Sequence, residues 1–433
     1  MQENNLLIKA REVAIAAKEN GGRALLVGGF VRDQLLGQMP KDADMEIYGI
    51  ESAALRKLLG KFGRVNCVGE SFQVYKLSWR QQKVRHELDV SLPRQDRKVS
   101  RGHRGFEVQG NPFSTIEDAA RRRDFTVNAM MRDPLTDELL DPFGGQNDLR
   151  NGILRMVDKN HFAEDSLRVL RAMQFAARFD LEIDPATAEV CRAVDLSDLP
   201  AERLWGEWEK LLMKAARPSR GLQIGKQLDV YQKLFPYLET ALERRGSELR
   251  ETLDGAAAIK VLLPEYPRQV TLMLSAICAY LSRPEREIFL QKLNVFSLDN
   301  YDVRRKVLIL SGERKRASDW FSHRETIEDK DFRFLAARLE PRLVYLLTKA
   351  RGDEAAAEWF WENAQRLHIE DAAPKRILEG RHLLEMGLEP GPQIGKIVNA
   401  VYLRQLETGF ETLEEAQAEA REIISNEYAK SET

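Results

Sequence analysis

The chain has 433 residues, 43% hydrophobic and 31% charged, longer than one core usually supports, so about two to four domains are expected. Its formal net charge of −2 excludes a chain that coats nucleic acid through bulk positive charge, while leaving local phosphate contacts open. No apolar run approaches the ~18 residues of a membrane span, and Cys67, Cys191 and Cys278 form no CxxC pair, so neither a zinc site nor a disulfide framework is expected.

Residues 4–19 have helical apolar spacing (Leu6, Leu7, Ala10, Val13, Ala14), closed by Gly21 and Gly22. This N-terminal stretch lacks a secretion-signal pattern, so a reducing cytoplasm is the expected compartment. Ala24 to Val27 reads as a short buried strand, stopped by Gly28 and Gly29, and Phe30 to Leu36 as the start of a helix. Asp44 to Tyr48 alternates charged and apolar residues like a half-buried strand, and Ser52 to Leu59 is helical again. Val65–Val68, Gln73–Trp79 and Val84–Leu92 read as further strands. The first ~150 residues therefore form an α/β or α+β domain. After Gly152 strand signals nearly vanish, and breaks fall at Pro218, Pro264, Pro374 and Pro390–Gly391–Pro392, giving a helical remainder in two or three pieces.

Five constellations could carry chemistry. Gly28-Gly29-Phe30-Val31-Arg32-Asp33 sits between strand and helix. Two glycines let backbone N–H groups approach a polyphosphate, and Arg32 lies one turn in, within reach of a phosphate. A tight strand-to-helix turn would look the same. Lys41-Asp42-Ala43-Asp44-Met45-Glu46 follows. Residues i and i+2 of a strand share a face, so Asp42 and Asp44 project together and suit solvent or a bridging Mg²⁺. Asp89, in the strand-like His86–Ser91, could add a third carboxylate or be an exposed strand residue. Arg121-Arg122-Arg123-Asp124 could be catalytic or an ordinary helix end, and Asp141-Pro142-Phe143-Gly144-Gly145 is a turn signal. In Glu164-Asp165-Ser166-Leu167-Arg168-Val169-Leu170-Arg171, helical spacing makes Asp165 and Arg168 neighbours, either as a surface ion pair or as two edges presented to a nucleobase.

In this order the segments resemble the class II tRNA nucleotidyltransferases and bacterial poly(A) polymerases, a branch of the DNA polymerase beta superfamily. LLVGGFVRD with KDADMEIYG matches the first family motif, RRRDFTVNAM the second, DPFGGQNDL the third and EDSLRVLRAMQFAARF the fourth. AERLWGEWEKLL is similar to a looser fifth, and GRHLLEMGLEPGPQIGKIVNAVYLRQLETG resembles the C-terminal segment. The resemblance implies an α+β nucleotidyltransferase head, a small polymerase-beta-like sheet with helices, over 1–152. An all-α neck (153–220), body (221–370) and tail (371–433) follow, the neck selecting the nucleobase and the tail binding tRNA.

The resemblance also implies a reaction: template-independent addition of C, C and A to the tRNA 3′ end from CTP and ATP, with release of pyrophosphate. Asp42 and Asp44 would hold two Mg²⁺ ions, with Asp89 as a third catalytic carboxylate. Gly28, Gly29 and Arg32 would cradle the phosphates, and Arg123 and Asp124 would sit by the ribose. Asp165 and Arg168 would read the base edge, with Arg171 nearby and Glu164 orienting the set. One departure is Gln174, in RAMQF, where relatives often carry arginine (RAxRF), with Arg178 one turn on.

Between Pro93 and Arg123 eight Lys or Arg face four Asp or Glu. The family keeps a flexible loop here that helps switch the site from CTP to ATP, and Gly102, Gly105 and Gly110 give this one length and freedom, as full CCA addition requires. The alternatives are a CC-only or A-only enzyme, a poly(A) polymerase, or an RNA-binding relic. Poly(A) polymerases usually carry an arginine-rich RRFR segment where this chain has Gly69–Val74, and intact Asp42 and Asp44 argue against a relic. No histidine–aspartate hydrolase motif accompanies the head, and nothing in the sequence specifies an oligomeric state.

Overall fold

The structure, a computed structural model, describes residues 5–40, 42–68, 74–81, 83–98 and 106–431. Lys41, Gly102, Gly105 and residues 69–73, on which the contrast with poly(A) polymerases rests, lie outside the described residues. The chain divides into two compact units: 1–215 with 220–236, and 216–219 with 237–433.

The first unit opens with helix α1 (Asn5–Glu19), whose Leu6, Ala10, Val13, Ala14 and Ala17 are buried. Strands β1 (Arg23–Val27), β2 (Asp44–Tyr48), β3 (Arg64–Val68), β4 (Val74–Gln81) and β5 (Val84–Ser91) follow, with helices α2 (Gly29–Leu35) and α3 (Ser52–Leu59) between them. Strands β6 (Arg94–Lys98) and β7 (Phe106–Gly110) form a separate two-stranded ribbon, followed by helix α4 (Ile116–Arg121). Strands β8 (Met131–Arg132) and β9 (Leu139–Leu140) complete a seven-stranded sheet in the order β3-β4-β5-β2-β1-β8-β9. Only β2 and β5 run parallel in it. The stretch expected as a flexible loop thus contains a β-ladder, pairing Arg94 with Gly110 and Lys98 with Phe106.

The central strands are apolar on both sides, as strands covered on two faces must be. Ala24 and Leu26 of β1, with Met45 and Ile47 of β2, join one core with α1 and α3. Leu25 and Val27, one residue out of phase, join a second core with Tyr48, Ala129 and Met131. Because Val27 pairs with Asp44 and Leu25 with Glu46, the β2 carboxylates lie on that second face, away from α1. The fold thereby sets the site's position.

Helices α5 (Gly145–Arg150), α6 (Lys159–Ala163), α7 (Leu167–Phe179), α8 (Pro185–Ala193) and α9 (Ala201–Lys214) follow, with only the short parallel pair Ile153–Leu154 and Glu182–Ile183 as strand. The DPFGG segment is a strut. Asp141 accepts hydrogen bonds from the Gly145 and Gln146 N–H groups at 2.7 and 2.9 Å, and a Cβ on Gly145 would stand 2.1 Å from the Thr126 carbonyl oxygen. Nothing larger than glycine fits there.

The described residues of the second unit are helical apart from turns and one isolated bridge. Trp320 and Phe332 pack edge to face at 5.0 Å, and buried Glu340 is satisfied by Arg268, Lys306 and Tyr301. The C-terminal helices share a core of Leu378, Leu383, Ile397, Val401, Ala416 and Ala420. Pro218 and Pro392, read as chain breaks, become first residues of helices, where a missing N–H costs nothing.

Candidate active site

Strand β2 begins at Asp44, so Asp42 precedes it in a bend, but the alternation holds: Ala43 is buried while Asp42 and Asp44 face solvent. Asp89 is the register partner of Asp44 on the parallel strand β5. Lys76 of β4 donates to both Asp89 oxygens at 3.2 Å. The Asp44 carboxyl is held above its ordinary value, first by desolvation and then by Asp89, Asp42 and Glu46, with Arg123 opposing. Solvent-facing, mutually repelling carboxylate oxygens suit a hard divalent cation. Among the described residues no three His, Cys, Asp or Glu side chains already enclose a metal-sized site. The donor set is therefore an open pair of the kind that substrate oxygens complete.

Glu46, on the same face, is 8% exposed and serves differently. It accepts from Tyr48 Oη at 2.9 Å and from an Arg123 terminal nitrogen at 2.7 Å. The Arg123 guanidinium thereby lies against Gly28, where a Cβ would meet it at 2.9 Å. Gly28 also has φ +66, a region costly to residues with a Cβ. Gly28→Ala should cost about 1–2 kcal/mol in backbone strain and push Arg123 aside, lowering both the melting temperature and nucleotide affinity in titration.

The second motif turns through a single 3₁₀ turn, Thr126–Asn128, and ties the head to α7. Asp124 is 7% exposed; it accepts from the Phe125 N–H (2.8 Å), the Asn128 amide (3.0 Å) and Arg171 Nε (2.7 Å). Asn128 accepts in turn from Arg32 at 2.5 Å. Arg32 is buried, bonded also to Asp33.

These residues surround one cavity of about 470 Å³. Gly28, Gly29, Arg32, Asp44, Arg123, Asp124, Asp165, Arg168 and Arg171, all singled out from sequence, line it; Asp42 and Asp89 do not. Helix α7 starts at Leu167 rather than at Glu164, so the helical spacing expected of Asp165 and Arg168 does not apply. Asp165 precedes the helix, its carboxylate accepting the Leu167 N–H at 3.1 Å and Arg203 at 3.3 Å, as acids at helix starts do. Arg168 donates to the backbone carbonyls of His161 and Arg122, each at 2.7 Å. The two side chains are thus fixed independently. Glu164 lines a different cavity, with Lys159, Glu189 and Asp198 among its walls.

Sequence reading did not single out Arg122, Asn128, Phe175, Arg178 and Arg203 as site residues, and all five line the cavity. Asn128 stood within the quoted RRRDFTVNAM segment. Arg203, on α9, stood within the quoted AERLWGEWEKLL segment, and it reaches the cavity where α9 brings it to Asp165.

Residues 24–155 match the family model described as "Poly A polymerase head domain". Residues 180–242 match a second model, "Probable RNA and SrmB- binding site of polymerase A". Part of the chain is similar to curated proteins named "Multifunctional CCA protein". That of Nitrosococcus oceani is 38% identical over 218 residues, 49% of this chain and 50% of the relative. That of Haemophilus ducreyi is 38% identical over 268 residues, 58% and 62%. The match thus spans about half the length of the first of these relatives. Among solved structures, a Bacillus stearothermophilus CCA-adding enzyme in complex with CTP superposes with TM-score 0.70 at 20% identity, covering 99% of this chain and 100% of that one. A Thermotoga maritima CCA-adding enzyme complexed with tRNA superposes with TM-score 0.64 at 22% identity, covering 97% and 98%. These likenesses show the fold: a small mixed sheet with helices, followed by a helical remainder.

Proposed function

We propose that this chain adds C, C and A to the 3′ end of tRNA from CTP and ATP, releasing pyrophosphate. The observation that carries the reading is the single cavity joining the glycine turn, Asp44 and the Asp124, Asp165, Arg168 and Arg171 cluster. A polyphosphate would lie against Gly28 and Gly29, whose lack of side chains admits it. Arg123, fixed by Glu46, would donate toward the sugar and phosphates. Asp165 and Arg168, each held rigid by other partners, would offer an acceptor and a donor to the base edge, so that protein replaces a template. Positioning of this kind is the larger part of phosphoryl-transfer catalysis. Asp42 and Asp44 would hold two Mg²⁺ ions. When bound, such ions neutralise triphosphate charge and acidify the attacking hydroxyl.

The division into head, neck (153–220), body (221–370) and tail (371–433) fits this reading, with the helical residues gripping tRNA through phosphate contacts in the cytoplasm. The same head would serve a poly(A) polymerase or a partial CC- or A-adding enzyme. With both nucleotides present, tRNA ending at the discriminator base should gain CCA and tRNA ending at CC should gain A, and no further, while CTP alone should carry the first only to CC. A poly(A) ladder, or arrest at CC with both nucleotides present, would replace the reading with one of those siblings.

A further inference from the structure

Most guanidinium groups of the cavity are already committed: Arg123 to Glu46, Arg171 to Asp124, Arg203 to Asp165, and Arg168 to two carbonyls. Arg178 is held differently. Its hydrogen bond runs to the neutral amide oxygen of Gln174 at 3.2 Å, and its guanidinium leans on the Phe179 ring at 4.9 Å. Gln174 is 1% exposed, so helix packing fixes the amide. The same Phe179 ring carries a second cation, Arg32, at 4.1 Å. Arg32 adjoins the glycine turn, since a Cβ on Gly29 would stand 3.4 Å from it. Two guanidinium groups thus share one aromatic ring beside that turn, and Asp33 is the carboxylate bonded to one of them. Burial and the charge of Arg32 hold Arg178 below its ordinary value, with Asp33 and Glu207 opposing.

We propose that Arg178 binds the polyphosphate tail of the incoming nucleotide, and that Gln174 is its positioning residue. A neutral acceptor orients the guanidinium without offsetting its charge; a carboxylate at that position would pair with it and weaken its pull on a phosphate. Phosphate oxygens entering beside Gly29 would relieve the repulsion between Arg32 and Arg178. The assignment rests on the nucleotidyl-transfer reading and deepens it.

The test uses the full chain and inorganic tripolyphosphate without divalent ions, together with steady-state incorporation of CTP and ATP. Arg178→Gln should weaken tripolyphosphate binding and raise KM for both nucleotides about 10- to 100-fold, the usual weight of a charge-assisted contact, with kcat changed far less. Gln174→Glu should do the same while leaving the arginine in place. Arg178→Lys should restore much of the affinity, which a purely structural role would not explain, and it serves if Arg178→Gln melts early. Unchanged tripolyphosphate affinity in Arg178→Gln and Gln174→Glu would overturn the assignment. So would a rise in KM for tRNA with nucleotide KM unchanged, which would place Arg178 on the RNA backbone instead. A wild-type chain that binds tripolyphosphate but incorporates nothing would remove the functional reading while upholding the Arg178 contact.

Discussion

Replacing both Asp42 and Asp44 with alanine should abolish nucleotide incorporation while tRNA binding, followed by filter retention or gel shift, persists. Asp44→Asn alone should lower kcat by about a thousandfold or more, about 4 kcal/mol of transition-state stabilisation. The reason lies in the local charge. Asp44 is held above its ordinary value by desolvation and by Asp89, Asp42 and Glu46 around it, and removing one negative charge leaves too little to hold a divalent ion. Both residues face solvent, so neither substitution opens a core cavity and the melting temperature should hold or rise as repulsion falls. Persisting incorporation at the wild-type rate would refute the assignment.

The second large effect is on stability. Asp124→Ala should destabilise the first unit by about 3–5 kcal/mol, because it leaves the Arg171 guanidinium without its buried partner. It also strands the Phe125 N–H and the Asn128 amide. Burial pushes the Asp124 carboxyl upward, but the Arg171 charge and the hydrogen bonds from Asn128 and Arg171 override it and hold it below its ordinary value. A carboxyl depressed in the folded state adds stability that is complete above the unfolded value near 3.9 and is lost as pH falls through the lower folded value. The resistance of the wild type to urea should therefore fall below about pH 4, and the Asp124→Ala chain should lack that part of the acid sensitivity. Equal urea midpoints for the two chains at pH 7 would remove Asp124 as an anchor.

Local pattern carried most of the fold. Alternation over Asp44–Tyr48, the apolar run Ala24–Val27 and the glycine pair each yield the element that the structure contains, because strand period and glycine freedom act over a few residues. Helical spacing misplaced Asp165. The side chain of an acid at a helix start competes for backbone N–H groups, and here it ended the helix at Leu167. The basic stretch concealed the β6–β7 ribbon, whose pairing joins residues up to 16 apart, from Arg94 to Gly110.

By itself, then, the sequence determined the glycine turn, the Asp42–Asp44 alternation and the candidate residues of the site, since these depend on residue type and short-range period. Tertiary structure alone decided which of them meet. It spent Glu46 on Arg123, tied Arg168 to the Arg122 carbonyl and brought Arg203 to Asp165 at the cavity. Those outcomes turn on distances between segments far apart in the chain, which side-chain type does not encode until the helices pack.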